Sequence, residues 1–463
     1  MPDPFRHYEG VPVLDLPGDP PDPTTPALDV LYGVSHTTPA RDGPTFLSQL
    51  LFYSAAISAS KRVSLTGERY ALRVNPSSGN LHPTEFHFRA RGLKEWPDGL
   101  YHYRPSSHTA EQRALGDLEL KVAGNPAPIV FILTSIAWRE AWKYHDRAYR
   151  YCLLDVGHAW QSLALAARAI GCESFAVGHF PDDEVAESCH LHEDEWPMLI
   201  IGLRGSTIPV REPDACETVW YNGQANQLSE KTIMYPSIDG IHVATKLSSL
   251  ACHSISSASP TGSGEMILPA SASSRSAFGG VVRMRRSALD FQGGTQSMSL
   301  AQLSAILAAT ARPLFADFAA GGYIQLYLYV HRVAGLPQGV YRYWPENGEL
   351  ERIASGDQRV AIAGLSLGQD LAGNACVAFS MIGDLDRAAR AHGDRGYRYV
   401  HFEAGAIGHR LYLAAEALGL GATGIGAFYD EEVHGYLKLA PAQGQVVYHF
   451  AIGYPVPDPR LAA

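Results

Sequence analysis

Lys143-Tyr-His-Asp-Arg-Ala-Tyr-Arg-Tyr151 runs into a long apolar stretch that ends at Gly171, and Ala176-Val-Gly-His-Phe180 follows. The same order returns later in the chain. Gly393-Asp-Arg-Gly-Tyr-Arg-Tyr399 leads into a second apolar stretch ending at Gly419, followed by Gly424-Ile-Gly-Ala-Phe428. Tyr149 matches Tyr397, Asp155 matches Glu403, Gly157 matches Gly405, Gly171 matches Gly419 and Gly178 matches Gly426, all at one offset of 248. A match of this length without a gap marks an internal duplication. A second gapless stretch aligns at offset 240: Glu85 with Gln325, Pro97 with Pro337, Gly99 with Gly339, Tyr101 with Tyr341, Tyr103 with Tyr343.

Working outward, the two long stretches read as helices, about Arg147–Ile170 and Phe402–Leu418. Each carries apolar or small residues nearly all round, which places a helix in a core or an interface. Two such helices packed together would form the central seam of a pseudo-twofold dimer within one chain. Around them each half repeats one order of elements. In the first half a helix starts near Pro44 or Thr45. Strands follow at Phe86–Ala90, Leu100–Tyr103 and the continuous apolar run Ile129–Leu133, and Pro197–Ile201 closes the unit. In the second half a helix at Leu300–Ala311 precedes strands at Leu326–Val330, Val340–Tyr343, Ala375–Met381 and Val446–Ile452. The fold class is therefore α+β: two fused units, each an antiparallel-type sheet flanked by helices. The expected divisions are an extended arm at 1–44, a first unit at 45–205, a linker at 206–280 and a second unit at 281–463. Proline, aspartate and threonine crowd Gly10–Pro44, a composition unsuited to a helix. Val11, Val13, Leu14 and Leu16 are its available anchors. Serine, alanine and glycine dominate Leu247–Gly280, including Ser254, Ser256, Ser257 and Ser259, which reads as an extended linker.

Composition narrows the function. The 463 residues carry a formal net charge of −10, which argues against nucleic acid as the main partner. No uncharged apolar run is long enough to cross a bilayer, so no membrane partner is expected. The six cysteines are scattered without a Cys-x-x-Cys pair, pointing to a reduced, cytoplasmic setting and no cysteine-rich metal centre. His190-Leu-His192 beside Glu193 and Asp194 reads as a polar loop rather than a metal site. Gly419-Leu-Gly-Ala-Thr-Gly424 has the spacing of a dinucleotide fingerprint, but it follows a helix and precedes a strand. The fingerprint needs the reverse, because the pyrophosphate rests on a helix N-terminus. A helix C-cap followed by a tight turn accounts for it.

Three features carry chemistry together. Arg285-Arg286-Ser287 sets two guanidinium groups and a hydroxyl side by side, a match for phosphate. Pro76-Ser77-Ser78-Gly79-Asn80 supplies backbone donors and small side chains that let a ligand approach closely. The segment Gly424-Ile425-Gly426-Ala427, after the second long helix, would bring backbone N–H groups up to a planar ring. Taken singly, each has a plain reading: a solvated basic pair, a turn, a helix cap.

Taken in this order, these segments resemble the nitroreductase superfamily of flavin enzymes, and within it the SagB-type azoline dehydrogenases. The resemblance covers both halves, from about Thr45 to Tyr454. It rests on Arg285-Arg-Ser-Ala-Leu-Asp-Phe291, on Pro76-Ser-Ser-Gly-Asn-Leu-His-Pro83, and on Lys143-Tyr144 before Arg147-Ala-Tyr-Arg150. Leu289 stands where the family pattern has a third arginine. The resemblance implies FMN as cofactor, held by Arg285, Arg286, Ser287, Arg73, the Pro76–Asn80 turn and the Gly424–Ala427 segment. Family members are usually homodimers with FMN between subunits, so the chain is expected to imitate a dimer and to be monomeric or weakly oligomeric. The resemblance also implies that Lys143 and Tyr144 are the catalytic pair, with hydride leaving the substrate for the flavin and a side-chain base taking the proton. A free lysine titrates near 10.4, so bringing it to about 8 takes roughly 3 kcal/mol, which partial burial would supply. The plain alternative for the pair is an exposed helix start beside Trp138 and Trp142. The implied substrate is a small molecule or peptide: a peptide azoline, a carrier-bound thioester or a small amine. Two other functions stay open, an NAD(P)H-dependent reductase of nitro compounds or quinones, and a non-catalytic flavin-binding protein.

The halves have kept different parts. Offset 240 maps Pro76, Ser77, Ser78 and Gly79 onto Ala316, Asp317, Phe318 and Ala319, and offset 248 maps Lys143 and Tyr144 onto Ala391 and His392. The region of the first half comparable to Arg285-Arg286-Ser287, around Thr37–Pro44, offers only Arg41. One complete site is therefore expected, made by second-half arginines and the first-half serine turn.

Overall fold

The computed structural model describes residues 1–34, 40–62, 69–118, 120, 127–214, 216–221, 223–249, 261–318 and 322–461. In the first half the strands lie side by side in the order Val219–Trp220, Thr109–Leu115, Gly99–Arg104, Thr84–Ala90, Ile129–Ser135, Trp196–Arg204, Glu173–Val177. Val13–Asp15 adds to Thr109–Leu115. The second half repeats this with Met266–Ile267, Glu349–Ser355, Gly339–Trp344, Ile324–Val330, Val377–Gly383, Gln445–Gly453 and Gly421–Ile425. Every pairing within these two sheets is antiparallel.

The repeat extends to register. Ala90 faces Ile129, and Val330 faces Val377. A bulge falls between Leu100 and Tyr101 and again between Val340 and Tyr341. The change of offset from 240 to 248 is placed by the same pairs. Eight more residues stand between Ser355 and Val377 than between Leu115 and Ile129, and that stretch of the second half contains the helices Arg359–Leu365 and Asp370–Asn374.

The seam helices are Ala148–Ala169 and Gly396–Ala417, buried along almost their whole length. Their closest approach is at the matched glycines. A Cβ on Gly157 would lie 2.2 Å from the Phe402 carbonyl oxygen, and one on Gly405 would lie 2.1 Å from the Leu154 carbonyl oxygen. Small residues at the crossing let backbone meet backbone, and one apolar core runs through both halves around it. Arginines then clamp across the seam. Arg147 Nε donates to the Gly426 carbonyl and its Nη1 to Asp430. At offset 248, Arg395 donates to the Gly178 carbonyl and to Asp182.

Several expectations need correction. The arm is not wholly extended: Ala27–Tyr32 is a short helix with Leu28, Val30 and Leu31 buried. Pro26 ends one proline-rich run, and no proline interrupts the six residues that follow. Leu16 anchors the arm by burial, whereas Val13 is exposed. The first-half helix begins at Gly43, because Asp42 caps it by accepting from the Thr45 N–H at 2.7 Å. The stretch read as linker contains the strands Val219–Trp220, Gln224–Ala225 and Met266–Ile267 and the helix Pro236–Ala244. Ser254, Ser256, Ser257, Ser259, Thr37 and Ala319 lie outside the described residues. Glycines 419–424 follow the seam helix, with Gly419 at φ 74°, and pass into the strand Gly421–Ile425 rather than into a helix.

The glycine crossing sets a test. Gly157→Ala forces the backbones apart in a filled core and should cost about 1–3 kcal/mol, read as a lower urea midpoint. An unchanged midpoint would mean that the helices separate without resistance.

Candidate active site

A cavity of about 800 Å³ opens where the halves meet. Every residue expected from the sequence to hold the cofactor or act in catalysis borders it: Lys143 and Tyr144; Arg73, Pro76, Ser77, Ser78, Gly79 and Asn80; Arg285, Arg286 and Ser287; Gly424, Ile425, Gly426 and Ala427. Segments separated by hundreds of residues are thus brought to one place by the seam.

The serine turn leaves the strand Arg69–Arg73 and bends through left-handed backbone at Gly79, Asn80 and His82. It was read as a source of donors for a ligand, and here the structure differs. The Ser77 hydroxyl donates to Asp155 at 2.6 Å, and the Ser78 N–H and hydroxyl donate to the same carboxyl at 3.0–3.1 Å. Asn80 Nδ2 donates to the Ala71 carbonyl. The turn is therefore pinned to the first seam helix, with the Ser77 and Ser78 hydroxyls already engaged where it borders the cavity. Burial pushes the Asp155 carboxyl up to about 7 against the opposing pull of the Ser77 and Ser78 hydrogen bonds.

Arg285 ends the helix Phe278–Met284 and is buried. It donates to the Val74 and Arg73 carbonyls, while its Nη1 has no hydrogen-bond partner. Arg286 donates to the Ser58 hydroxyl at 3.1 Å and to the Ser58 carbonyl. Arg73 donates to the Pro4 carbonyl, and its Nε and Nη1 are unpartnered. Burial lowers all three guanidinium groups, Arg73 and Arg286 to about 10, so they stay cationic at neutral pH. None of them is among the ion pairs of the described residues. Positive charge out of water is costly where no carboxylate is in contact, and an anion in the cavity would offset that cost. Ser287 shares a 2.8 Å hydrogen bond with the Tyr412 hydroxyl, which also accepts from the Gly424 N–H at 2.9 Å. That bond takes up one of the N–H groups expected to meet a ligand. Side chains are excluded at the two glycines of the segment: a Cβ on Gly424 would fall 1.9 Å from the Tyr448 oxygen, and one on Gly426 2.4 Å from the Tyr151 ring.

Lys143 and Tyr144 stand at the C-terminal end of the helix Ala137–Tyr144, not at a helix start. Both reach Gly79. A Cβ there would lie 2.5 Å from the Tyr144 oxygen and 3.1 Å from Lys143 Nζ. Burial raises the Tyr144 phenol, and the nearby Glu140 carboxyl adds to the effect. Glu140 is itself buried with both oxygens unpartnered, and burial raises it well above the usual carboxylate range. Lys143 is exposed at the cavity rim, so the partial burial expected for it is absent in the free chain.

Other lining residues escaped the sequence reading. Lys61 and Arg460 come from distant segments and share Asp458, at 3.0 and 2.8 Å. Neither sits in a motif. Asp155 was visible as a matched position, but its grip on the serines was not. His158 and Tyr448, joined at 3.1 Å, form part of the inner wall, and burial drives His158 down to about 3. Leu367 and Gln369 come from the added second-half segment. Outside the cavity, His190 stacks on Trp220 at 3.6 Å, and His192 bonds Asp194.

Among the described residues, the place related by the repeat to the serine turn and the Lys-Tyr pair is taken up by the chain's own side chains. Asp317 accepts from the Gly178 and His179 N–H groups at 2.8 and 3.1 Å. Phe318 stacks on Tyr399 with ring centres 4.2 Å apart, and a Cβ on Gly178 would strike both rings. His392, where the first half has Tyr144, bonds Tyr323 and His179.

The nitroreductase family pattern matches residues 55–205 and 282–454, and the chain belongs to that family. A solved structure of a protein from Anabaena variabilis, assigned to the nitroreductases, is similar over 98% of this chain and 94% of its own, with a TM-score of 0.77 and 25% identity. An assigned nitroreductase of Methanocaldococcus jannaschii is 37% identical over 116 residues, 25% of this chain and 59% of that protein. The microcin B17-processing protein McbC of Escherichia coli is 26% identical over 29% of this chain and 54% of its own. The trifolitoxin-processing protein TfxB of Rhizobium leguminosarum is 29% identical over 28% and 39%. The chain spans about half the length of these curated relatives.

The Asp155 environment makes a testable pH dependence. From about pH 4 to 7 the folded carboxyl holds a proton that the unfolded one has lost. Its contribution to stability is therefore present in acid, falls by up to about 1.4 kcal/mol per pH unit through that window, and is level above 7. The stability difference between the parent and Asp155→Asn, from urea midpoints at each pH, should follow that curve. A difference independent of pH would mean that Asp155 titrates as an ordinary carboxylate.

Proposed function

We propose that the chain is an FMN-dependent dehydrogenase of the SagB type, binding one flavin and oxidising an azoline ring in a peptide or related intermediate to the azole. The observation that carries this reading is complementarity. The second half contributes Arg285, Arg286 and the glycine segment, the first half contributes Arg73, the serine turn and the Lys-Tyr pair, and all line one cavity. The related place is closed by Asp317 and Phe318. Similarity to the McbC and TfxB processing proteins supports the substrate class.

The residues present fit the cofactor. Arg285 and Arg286, with Lys61 and Arg460, would hold the phosphate. The Gly424–Ala427 segment, bare of side chains at its two glycines, and the Pro76–Ser78 turn would flank the ring. When bound, FMN supplies a hydride acceptor.

The chain's own groups handle the proton. Tyr144, held as a neutral phenol by burial, donates a hydrogen bond and orients the ring to be oxidised. Lys143, beside it at the rim, takes the proton that leaves the substrate. Substrate seated on Lys143 would exclude water from it and favour its neutral form. The two halves act as an intrachain pseudo-dimer, so a second subunit is not needed to complete the site.

Two outcomes test this. Flavin released on denaturing the FMN-saturated protein should approach one per chain, and a value near two would defeat the complementarity argument. Arg286→Ala should weaken FMN binding about 10- to 100-fold, the worth of a charge-assisted bond of roughly 1.5–3 kcal/mol.

Lys143→Ala and Tyr144→Phe should keep their flavin absorbance yet lose thiazoline oxidation by about 10²-fold or more. Full turnover in both would make the pair structural. Rapid anaerobic bleaching of the flavin by NADPH, without thiazoline oxidation, would assign the chain to the reductases instead.

A further inference from the structure

The added segment of the second half does more than extend the sheet. Between its helices Arg359–Leu365 and Asp370–Asn374, the connection Ser366–Gln369 reaches the cavity, where Leu367 and Gln369 line the wall. This connection is tied down. Ser366 Oγ bonds His449 Nδ1 at 3.0 Å, and His449 Nε2 bonds Ser380 Oγ at 3.0 Å. Gln369 Nε2 donates to the Ser366 carbonyl and to the Ala427 carbonyl of the glycine segment. The Tyr429 N–H donates to the Leu365 carbonyl at 3.0 Å.

Held this way, Leu367 has φ 56°. A bulky aliphatic side chain in left-handed backbone is an outlier, because its Cβ crowds the carbonyl. Among the described non-glycine residues with positive φ, the others are asparagine, histidine, glutamate and lysine. Leu367 is also 44% exposed, so the strain is not offset by burial in the chain's own core. Strain of this kind, kept at a cavity wall, points to a contact made with something else. The same cavity is bordered by Lys143 and Tyr144 of the first half.

We infer that Leu367 is a specificity-determining residue: it packs against an apolar group that the substrate carries next to the ring to be oxidised. The substrate class is then a peptide-borne azoline preceded by an apolar residue. This rests on the proposed oxidation for the nature of the ring, and on the Leu367 geometry alone for the apolar neighbour.

The test uses binding rather than turnover. Two product-like thiazoles, one derived from N-acetyl-leucyl-cysteine amide and one from N-acetyl-glycyl-cysteine amide, are titrated calorimetrically into the full chain supplied with FMN. The parent should prefer the leucyl compound about tenfold, the scale of a partly buried isobutyl group. Leu367→Asn, which suits left-handed backbone, should lose that preference while its urea midpoint holds or rises. No preference in the parent, a preference unchanged in the variant, or a lowered midpoint would each overturn the inference. A leucyl preference lost in the variant, with no thiazoline oxidised by the parent, would sink the oxidation and leave the Leu367 contact standing.

Discussion

Everything near the cavity depends on how closely two helices touch. At Gly157 and Gly405 there is no room for even a methyl group between one backbone and the other. That contact fixes the separation of the two halves, and hence the span between the second-half arginines and the first-half serine turn. A wider seam would leave the same residues present and no site between them. The duplication therefore preserved the glycines as a pair, because each is the other's steric partner.

The arginine clamps show how symmetry and asymmetry coexist. Arg147 and Arg395 each cross the seam to hold the other half's glycine segment, and Asp430 and Asp182 complete the two clamps. The frame is thus kept twice. What differs is the filling. On one side, Asp317 supplies a carboxylate to backbone N–H groups and Phe318 an aromatic ring to Tyr399. On the other, the buried Arg73 and Arg285 guanidinium groups have N–H groups without a partner. One place is closed by the chain's own side chains, and the other keeps unpartnered N–H groups on Arg73 and Arg285.

Much of this was legible in the sequence because a duplication is a comparison built into one chain. The matched glycines, the seam helices and the complementary loss of parts all followed from two offsets. Where residues act through distant partners, the sequence was silent. Thr109–Leu115 is a buried strand although Glu111, Gln112 and Arg113 are polar, because His102 and the Tyr8 N–H meet Glu111 from elsewhere. Ser77 and Ser78 look like ligand donors until Asp155 is seen to hold them. Lys61 and Arg460 carry no local signal, since only folding brings them to Asp458. The helix Ala27–Tyr32 was hidden by the proline-rich composition on either side of it.

The scatter of the cavity wall along the chain has a consequence for the order of events during synthesis. Pro4 supports Arg73, while the opposite wall includes Gly424 to Ala427 and Arg460. A ribosome that has released only the first half has made a sheet and one seam helix, but no enclosed chamber. A ligand of this cavity thus has nothing enclosed to grip until nearly the whole polypeptide has emerged and the second half has docked. It follows that whatever fills the chamber is a late arrival to a finished scaffold, rather than a seed around which the scaffold condenses.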